Sequence, residues 1–374
     1  MPELFGRKWS RTELLSRVGR LEQVAGVRLV TLDDGLGRGV RLVEFRTGSG
    51  FIFDVVVDRS FDIGRCEMDG RPLDWQSNAG IVGPWYYEPD EWGWFRAWGG
   101  GMVVTCGLDH TLLGGDDDVT HYNQAHIFTT DYFGLHGRVG GLPARLVGYG
   151  ERWEGDECIL WAEGEVLQSA VFGEHLLLRR RVEARVGESH FTIHDEVENV
   201  GHTRTTHMLL YHCNAGFPVV QEGSRLLVPS LETTTDYDVT PELMKSYRTL
   251  SDPIKNYSEK CFEHRLASEK DGRVPVAVVN RNLGLGVYQV FRIGQLPHHT
   301  VWRMMGEDTY AMAMEPSTNR DAGRFDAKKR GELIWMEPGD IRPYDLEIGA
   351  IVGTGAIDAF AARVDAVVPG ASKE

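Results

Sequence analysis

The sequence predicts an all-β chain, a large antiparallel β-sandwich with short helices confined mainly to its two ends. Strand-like segments follow one another with no alternating helices, which is the pattern of antiparallel sheets. Phe191, Ile193, Asp195 and Val197 share one strand face by period-two alternation. Glycine is abundant, at 44 residues, and supplies the turns such a fold needs. No repeat, low-complexity tract or linker divides the 374 residues, and all-β units reach this size, so 1–374 reads as one domain.

Ser10 and Glu13 have capping-box spacing, and Leu14, Leu15, Val18 and Leu21 follow at helical intervals, predicting an N-terminal helix. Residues 40–46 and 51–57 are strands joined by Thr47-Gly48-Ser49-Gly50, a hairpin. Further strands are expected at 102–105, 158–167, 176–186, 190–199 and 206–212. The later ones are 274–280, 286–291, 299–304, 309–315, 332–336 and 342–351. Only 356–367 reads as a second helix. The acidic run 114–118 reads as a solvated turn, since no EF-hand spacing follows. Gly35-Leu36-Gly37-Arg38-Gly39 precedes a strand and opens no helix, so it is a poor phosphate loop.

A hydrophobic content of 42% with 25% charged residues describes a soluble globular chain. The net charge of −15 argues against nucleic acid and anionic membrane surfaces as partners. Cys66, Cys106, Cys158, Cys213 and Cys261 are odd in number and scattered, which fits reduced thiols and neither a disulfide frame nor a zinc knuckle. Residues 1–20 lack an apolar signal core and no run reaches membrane-spanning length, so cytoplasm is the default location.

Glu315 stands in the apolar strand Met312-Ala313-Met314-Glu315-Pro316, where a carboxylate costs desolvation energy unless it is paired or used. The bland alternative is an exposed residue near a strand end. His136 lies in Gly134-Leu135-His136-Gly137-Arg138, and His212 in Tyr211-His212-Cys213-Asn214. One carboxylate and two imidazoles suit proton transfer to and from a sugar. His110, His121, His126 and His136 raise the question of a metal, but HExxH and compact zinc spacings are absent. No G-x-S-x-G elbow occurs. Cys213 and His212 point to opposite faces of a strand and cannot pair. Trp75, Trp85, Trp92, Trp94 and Trp98 crowd one segment, with Trp302 later; they offer either flat faces for a sugar or ordinary packing.

These segments, in this order, resemble the aldose 1-epimerase (galactose mutarotase-like) superfamily, and most closely an aldose 1-epimerase-like branch of it. The resemblance is carried by Asp58-Arg59-Ser60-Phe61-Asp62, Gly99-Gly100-Gly101-Met102, Leu135-His136-Gly137, Tyr211-His212-Cys213-Asn214 and Met314-Glu315-Pro316. It covers about residues 20 to 355 and implies a galactose mutarotase-like supersandwich. It also implies that His212 is the general acid, Glu315 the general base and His136 a substrate-positioning histidine. His207 is the rival to His212. Arg59 would stand for the early active-site arginine, and Asp236 or Asp238 for the later aspartate, with Trp302 lining the sugar site. Such chemistry requires no metal or organic cofactor.

Three functions follow as expectations. The first is a mutarotase-type isomerase acting on a free sugar or sugar derivative, with room for a homodimer. The second is a lyase or isomerase on a keto-sugar, assisted by a metal at His110, His121 or His126. The third is a carbohydrate-binding protein without catalysis on the same fold.

Overall fold

A computed structural model of the chain describes residues 1–122 and 127–373. Three antiparallel sheets make up most of it. The first has eight strands in the spatial order Arg145–Glu154, Glu157–Ser169, His175–Arg185, His190–Asn199, Ile341–Val352, Leu285–Arg292, Arg273–Asn280 and Arg225–Leu227. The second runs Ser230–Thr234, Lys260–Leu266, His298–Met305, Tyr310–Ser317, Thr205–Ala215 and Ile334–Met336, and Val104–Leu108 also pairs with Thr205–Ala215. The third holds Gly26–Thr31, Arg41–Arg46, Phe51–Val56, Asp62–Met68 and Arg71–Pro72. The hairpin expected around Thr47 to Gly50 is present, with Gly48 and Gly50 both in the left-handed region that a tight turn requires.

The sheets are amphipathic by alternation. In His175–Arg185, Leu176, Leu178, Arg180, Val182 and Ala184 are buried, and in His190–Asn199 Phe191, Ile193, Asp195 and Val197 are buried. One continuous core takes Leu178 and Phe191 from the first sheet, Tyr211 and Phe262 from the second, and Phe45 and Phe53 from the third. Phe53 and Phe191 meet across the sheets with ring centroids 4.6 Å apart. Each such fully buried side chain contributes about 1.5–3 kcal/mol.

Inside this apolar core lies an ionic cluster. Arg180 and Asp195 are directly opposed on neighbouring strands. The Arg180 guanidinium donates two bonds to Asp195, at 2.8 and 2.6 Å, a third to Asp62 at 3.1 Å and a fourth to Thr105 Oγ1 at 2.8 Å. The Tyr211 hydroxyl donates to Asp195 at 2.6 Å. Arg180, Asp62, Asp195, Thr105 and Tyr211 thereby join all three sheets through buried groups.

Several expected elements differ. The N-terminal helix has its capping box but covers only Arg11–Leu15, because Leu14 is the only residue it buries and no apolar stripe sustains further turns. The C-terminal helix is Thr354–Val367, and short helices also form at Trp94–Ala97, Pro241–Ser246 and Gly323–Arg330. Gly323–Arg330 escapes hydrophobic periodicity because its buried anchor is charged: Arg324 donates to Asp117 at 2.7 Å. Asp117 belongs in turn to strand Gly115–Asp118, which pairs with Thr130–Phe133, so 114–118 is not a solvated turn.

Arg180→Met should therefore lower stability by about 3–5 kcal/mol, because it strands two buried carboxylates. A denaturant-midpoint shift equivalent to less than about 1 kcal/mol would contradict this account of the cluster.

Candidate active site

Strand parity builds the site. In Thr205–Ala215, which is buried on both faces, Leu209, Tyr211 and Cys213 join the main core. Leu210 joins a second apolar cluster with Trp75, Trp94, Trp98, Cys261, Trp302, Ala311 and Ala313. His212 shares the Leu210 face, and Glu315 shares the face of Ala311 and Ala313. The pairings Leu210↔Ser317 and Cys213↔Met314 put His212 directly across from Glu315. His212 Nε2 lies 3.2 Å from Glu315 Oε1, with both side chains almost fully buried. The approach lacks hydrogen-bond alignment, and Oε1 has no partner among the described residues.

This pair opens into a cavity of about 380 Å³. His136, Asp236, Glu259, Trp302 and Asp321 line it as well, and Trp92, Trp94, Phe95, Trp98, Leu112, Leu113, Leu135 and Tyr237 form much of its wall. The cavity is more aromatic than the polar cleft such residues suggest. Trp98 stands edge-on to both His212 and Trp302, with centroids 5.1 and 5.6 Å away. The His136 ring lies tilted against Trp94, with centroids 4.6 Å apart, and 6.0 Å from the His212 ring. Its backbone is left-handed, at φ 58°, and Gly137 follows at φ 76°. A Cβ on Gly137 would come within 2.3 Å of the Gly107 carbonyl oxygen, so only glycine allows the chain to pack here and turn the imidazole toward the cavity.

Asn214, two residues beyond His212 on the same face, fixes the tautomer. Its amide nitrogen donates to the carbonyls of Gly101, at 2.9 Å, and of His212, at 3.0 Å. Its oxygen must then accept from His212 Nδ1, 2.6 Å away. In neutral His212 the proton is on Nδ1, and the Nε2 lone pair faces Glu315.

Burial dominates the electrostatics. It pushes His212 down to about 4, against the opposing effect of the Asn214 bond. It lowers His136 well below the ordinary histidine value, assisted by His212 and His110. It raises Glu315 well above the ordinary carboxylate range, and the charges of Asp321 and Glu259 raise it further. Asp321 is pushed up to about 7 by burial and by Glu263, Asp236 and Glu259. Burial thus favours the uncharged form of both groups, a carboxylic acid at Glu315 and a neutral imidazole at His212, and at neutral pH His212 is not the protonated acid. Burial also keeps Cys261 a thiol.

The structure brings together His136, His212, Glu315, Trp302 and Asp236. Arg59 does not join them: it is buried against Asp62, with Nε 3.5 Å from the carboxylate, away from the cavity wall. Asp238 is exposed and does not line the cavity. His110 packs against Phe133 and Phe325, and neither it nor His121 lines the cavity; His126 lies outside the described residues. Among the described residues, no three His, Cys, Asp or Glu side chains are grouped to hold a metal ion. Sequence reasoning missed Glu259 and Asp321, which stand outside any strand motif. It also missed Asn214, whose signal was its period-two relation to His212.

His207 is resolved by parity. It faces the main core, where its ring bonds the Leu108 carbonyl at 2.8 Å and the Tyr344 hydroxyl at 2.7 Å. His207→Leu should cost about 2 kcal/mol or more, because it orphans both buried partners. His212→Asn should cost less than about 1 kcal/mol by the same denaturant measurement, since an asparagine amide can still donate to the one side-chain partner of His212, Asn214 Oδ1. Equal losses at the two positions would contradict this division.

Solved structures share the fold. A "putative aldose 1-epimerase" from Klebsiella pneumoniae superposes with a TM-score of 0.82 at 21% identity, over 93% of this chain and 90% of that one. A galactose mutarotase-like protein from Clostridium acetobutylicum gives 0.61 at 11% identity, over 87% and 98%. A galactose 1-epimerase from Lactobacillus acidophilus gives 0.55 at 10% identity, over 87% and 99%. The fold is thus galactose mutarotase-like, as the sequence resemblance implies. No curated protein matches the chain. No helix among the described residues is long and apolar enough to cross a membrane. A family model described as a domain of unknown function (DUF4432) matches residues 37–350, most of the length, and the chain belongs to that family.

Proposed function

We propose that the protein is a sugar isomerase of the aldose 1-epimerase type, which interconverts anomers of a free sugar from one domain spanning 1–374. The observation that carries this reading is the contact between His212 Nε2 and Glu315 Oε1, 3.2 Å apart in an aromatic cavity. Anomer exchange opens a hemiacetal whose ring oxygen and hydroxyl oxygen sit on the same carbon. An acid and a base that touch each other suit two oxygens so placed.

The proton count agrees. Ring opening takes a proton from the C1 hydroxyl, gives one to the ring oxygen and breaks the bond from C1 to that oxygen. The open aldehyde rotates about C1–C2, and closure returns both protons. No proton is gained or lost overall, so a two-site pair holding one proton suffices. At rest Glu315 is the donor and the Nε2 lone pair of His212 the acceptor. Transfer across the contact gives the opposite assignment, with Glu315 as base and His212 as acid. His136 would position the sugar hydroxyls, and Trp98 and Trp302 would face its C–H surfaces.

Accelerated anomer exchange of reducing sugars, measured by magnetisation-transfer NMR, tests the reading. Glu315→Gln and His212→Asn should each slow exchange by about 10²-fold or more. His136→Asn should weaken sugar binding as well as rate. Normal turnover by folded Glu315→Gln would refute the pair; unfolding of that variant would mark Glu315 as a structural carboxylate.

The pH profile follows from the two shifts. His212 is lowered, so the pair gains a second proton only near about pH 4, and rate should fall below that. Glu315 is raised, so the single proton is lost only well above the ordinary carboxylate range, and rate should fall there. A rate that climbs through pH 6.5 as an ordinary histidine loses its proton would contradict the pair.

A further inference from the structure

Anomer exchange uses one cavity carboxylate, Glu315. Three more reach the same wall, namely Asp236, Glu259 and Asp321, and no lysine or arginine among the described residues lines it. The acids are not neutralised from behind. Every influence on the Asp321 carboxyl beyond burial comes from another acid, and the same holds for Glu315. Glu259 accepts the Trp302 indole N–H at 2.7 Å, which ties the acid to the aromatic wall but supplies no charge. Glu315 Oε1 is buried, faces the cavity and lacks a hydrogen-bond partner. The acids are spread along the wall and do not converge as metal ligands do. Trp92 and Trp98 line the same cavity, and indole rings attract ammonium groups.

Unneutralised carboxylates beside aromatic faces make a site for an organic cation and repel anions. Resting on the isomerase reading for the sugar ring, we infer that the ligand is an amino sugar bound as its ammonium form, and that sugars bearing phosphate or carboxylate are rejected. The amine would be held by Asp321, Glu259 and Asp236, leaving Glu315 and His212 to the anomeric carbon.

Calorimetric titration of the intact protein tests this, at a pH below the pKa of the sugar amine. Glucosamine or galactosamine should bind at least about tenfold tighter than N-acetylglucosamine and glucose, which share the ring but lack the charge. Glucose 6-phosphate and glucuronate should bind at least about tenfold more weakly than glucose. Asp321→Asn and Glu259→Gln should each reduce the ammonium preference by about threefold or more. Equal affinity for charged and neutral sugars, no binding by the amino sugars, or an undiminished preference in the double variant would overturn the inference. Ammonium preference without faster anomer exchange would refute the isomerase reading and leave the ligand class standing. Faster exchange of glucose with no ammonium preference would do the reverse.

Discussion

The buried guanidinium of Arg180 is the constraint on which the rest of the structure depends. It carries a charge into an apolar core, which is tolerable only because Asp195 and Asp62 meet it with aligned bonds. Those aspartates come from different sheets, so the charges can be satisfied only when the sheets are docked in one arrangement. Tyr211 completes the set by donating to Asp195. That bond has a consequence one residue away. With Tyr211 fixed toward the core, strand geometry turns His212 to the opposite face, toward the cavity.

Register then does for Glu315 what parity does for His212. Antiparallel pairing of Thr205–Ala215 with Tyr310–Ser317 sets the two side chains opposite each other. A slip of either strand by one residue would turn its own member of the pair to the opposite face, away from the cavity. Both side chains are almost fully buried, and burial moves the two groups in opposite directions, Glu315 up and His212 down. The result is a pair in which burial favours a proton on Glu315 and a neutral His212, with Asn214 settling which imidazole nitrogen faces the carboxyl.

Much of this was legible in the sequence where one face of a strand is apolar. The 190–199 strand announces itself through Phe191, Ile193 and Val197, and even its inward Asp195 falls in step. Asp62–Met68 is not picked out by apolar alternation, because Asp62 and Gly64 interrupt its inward face. The helix at 323–330 was hidden for a related reason, since its anchor is Arg324 in an ion pair. At the site, Glu315 and the two histidines stood out as polar residues in apolar or glycine-flanked surroundings. Their union was not derivable locally: the Glu315–His212 contact depends on long-range register. Arg59 shows the opposite failure. It lies buried beside Asp62 and off the cavity wall, which only the folded core reveals.

The most direct test of the central claim is the protonation of the His212 ring, read by ¹⁵N–¹H correlation NMR with the His212→Asn variant used for assignment. The account predicts a neutral ring protonated on Nδ1, with Nε2 bare, at neutral pH and down to about pH 4. A proton on Nε2 in the neutral ring, or an ordinary titration near pH 6.5, would contradict the shared-proton pair.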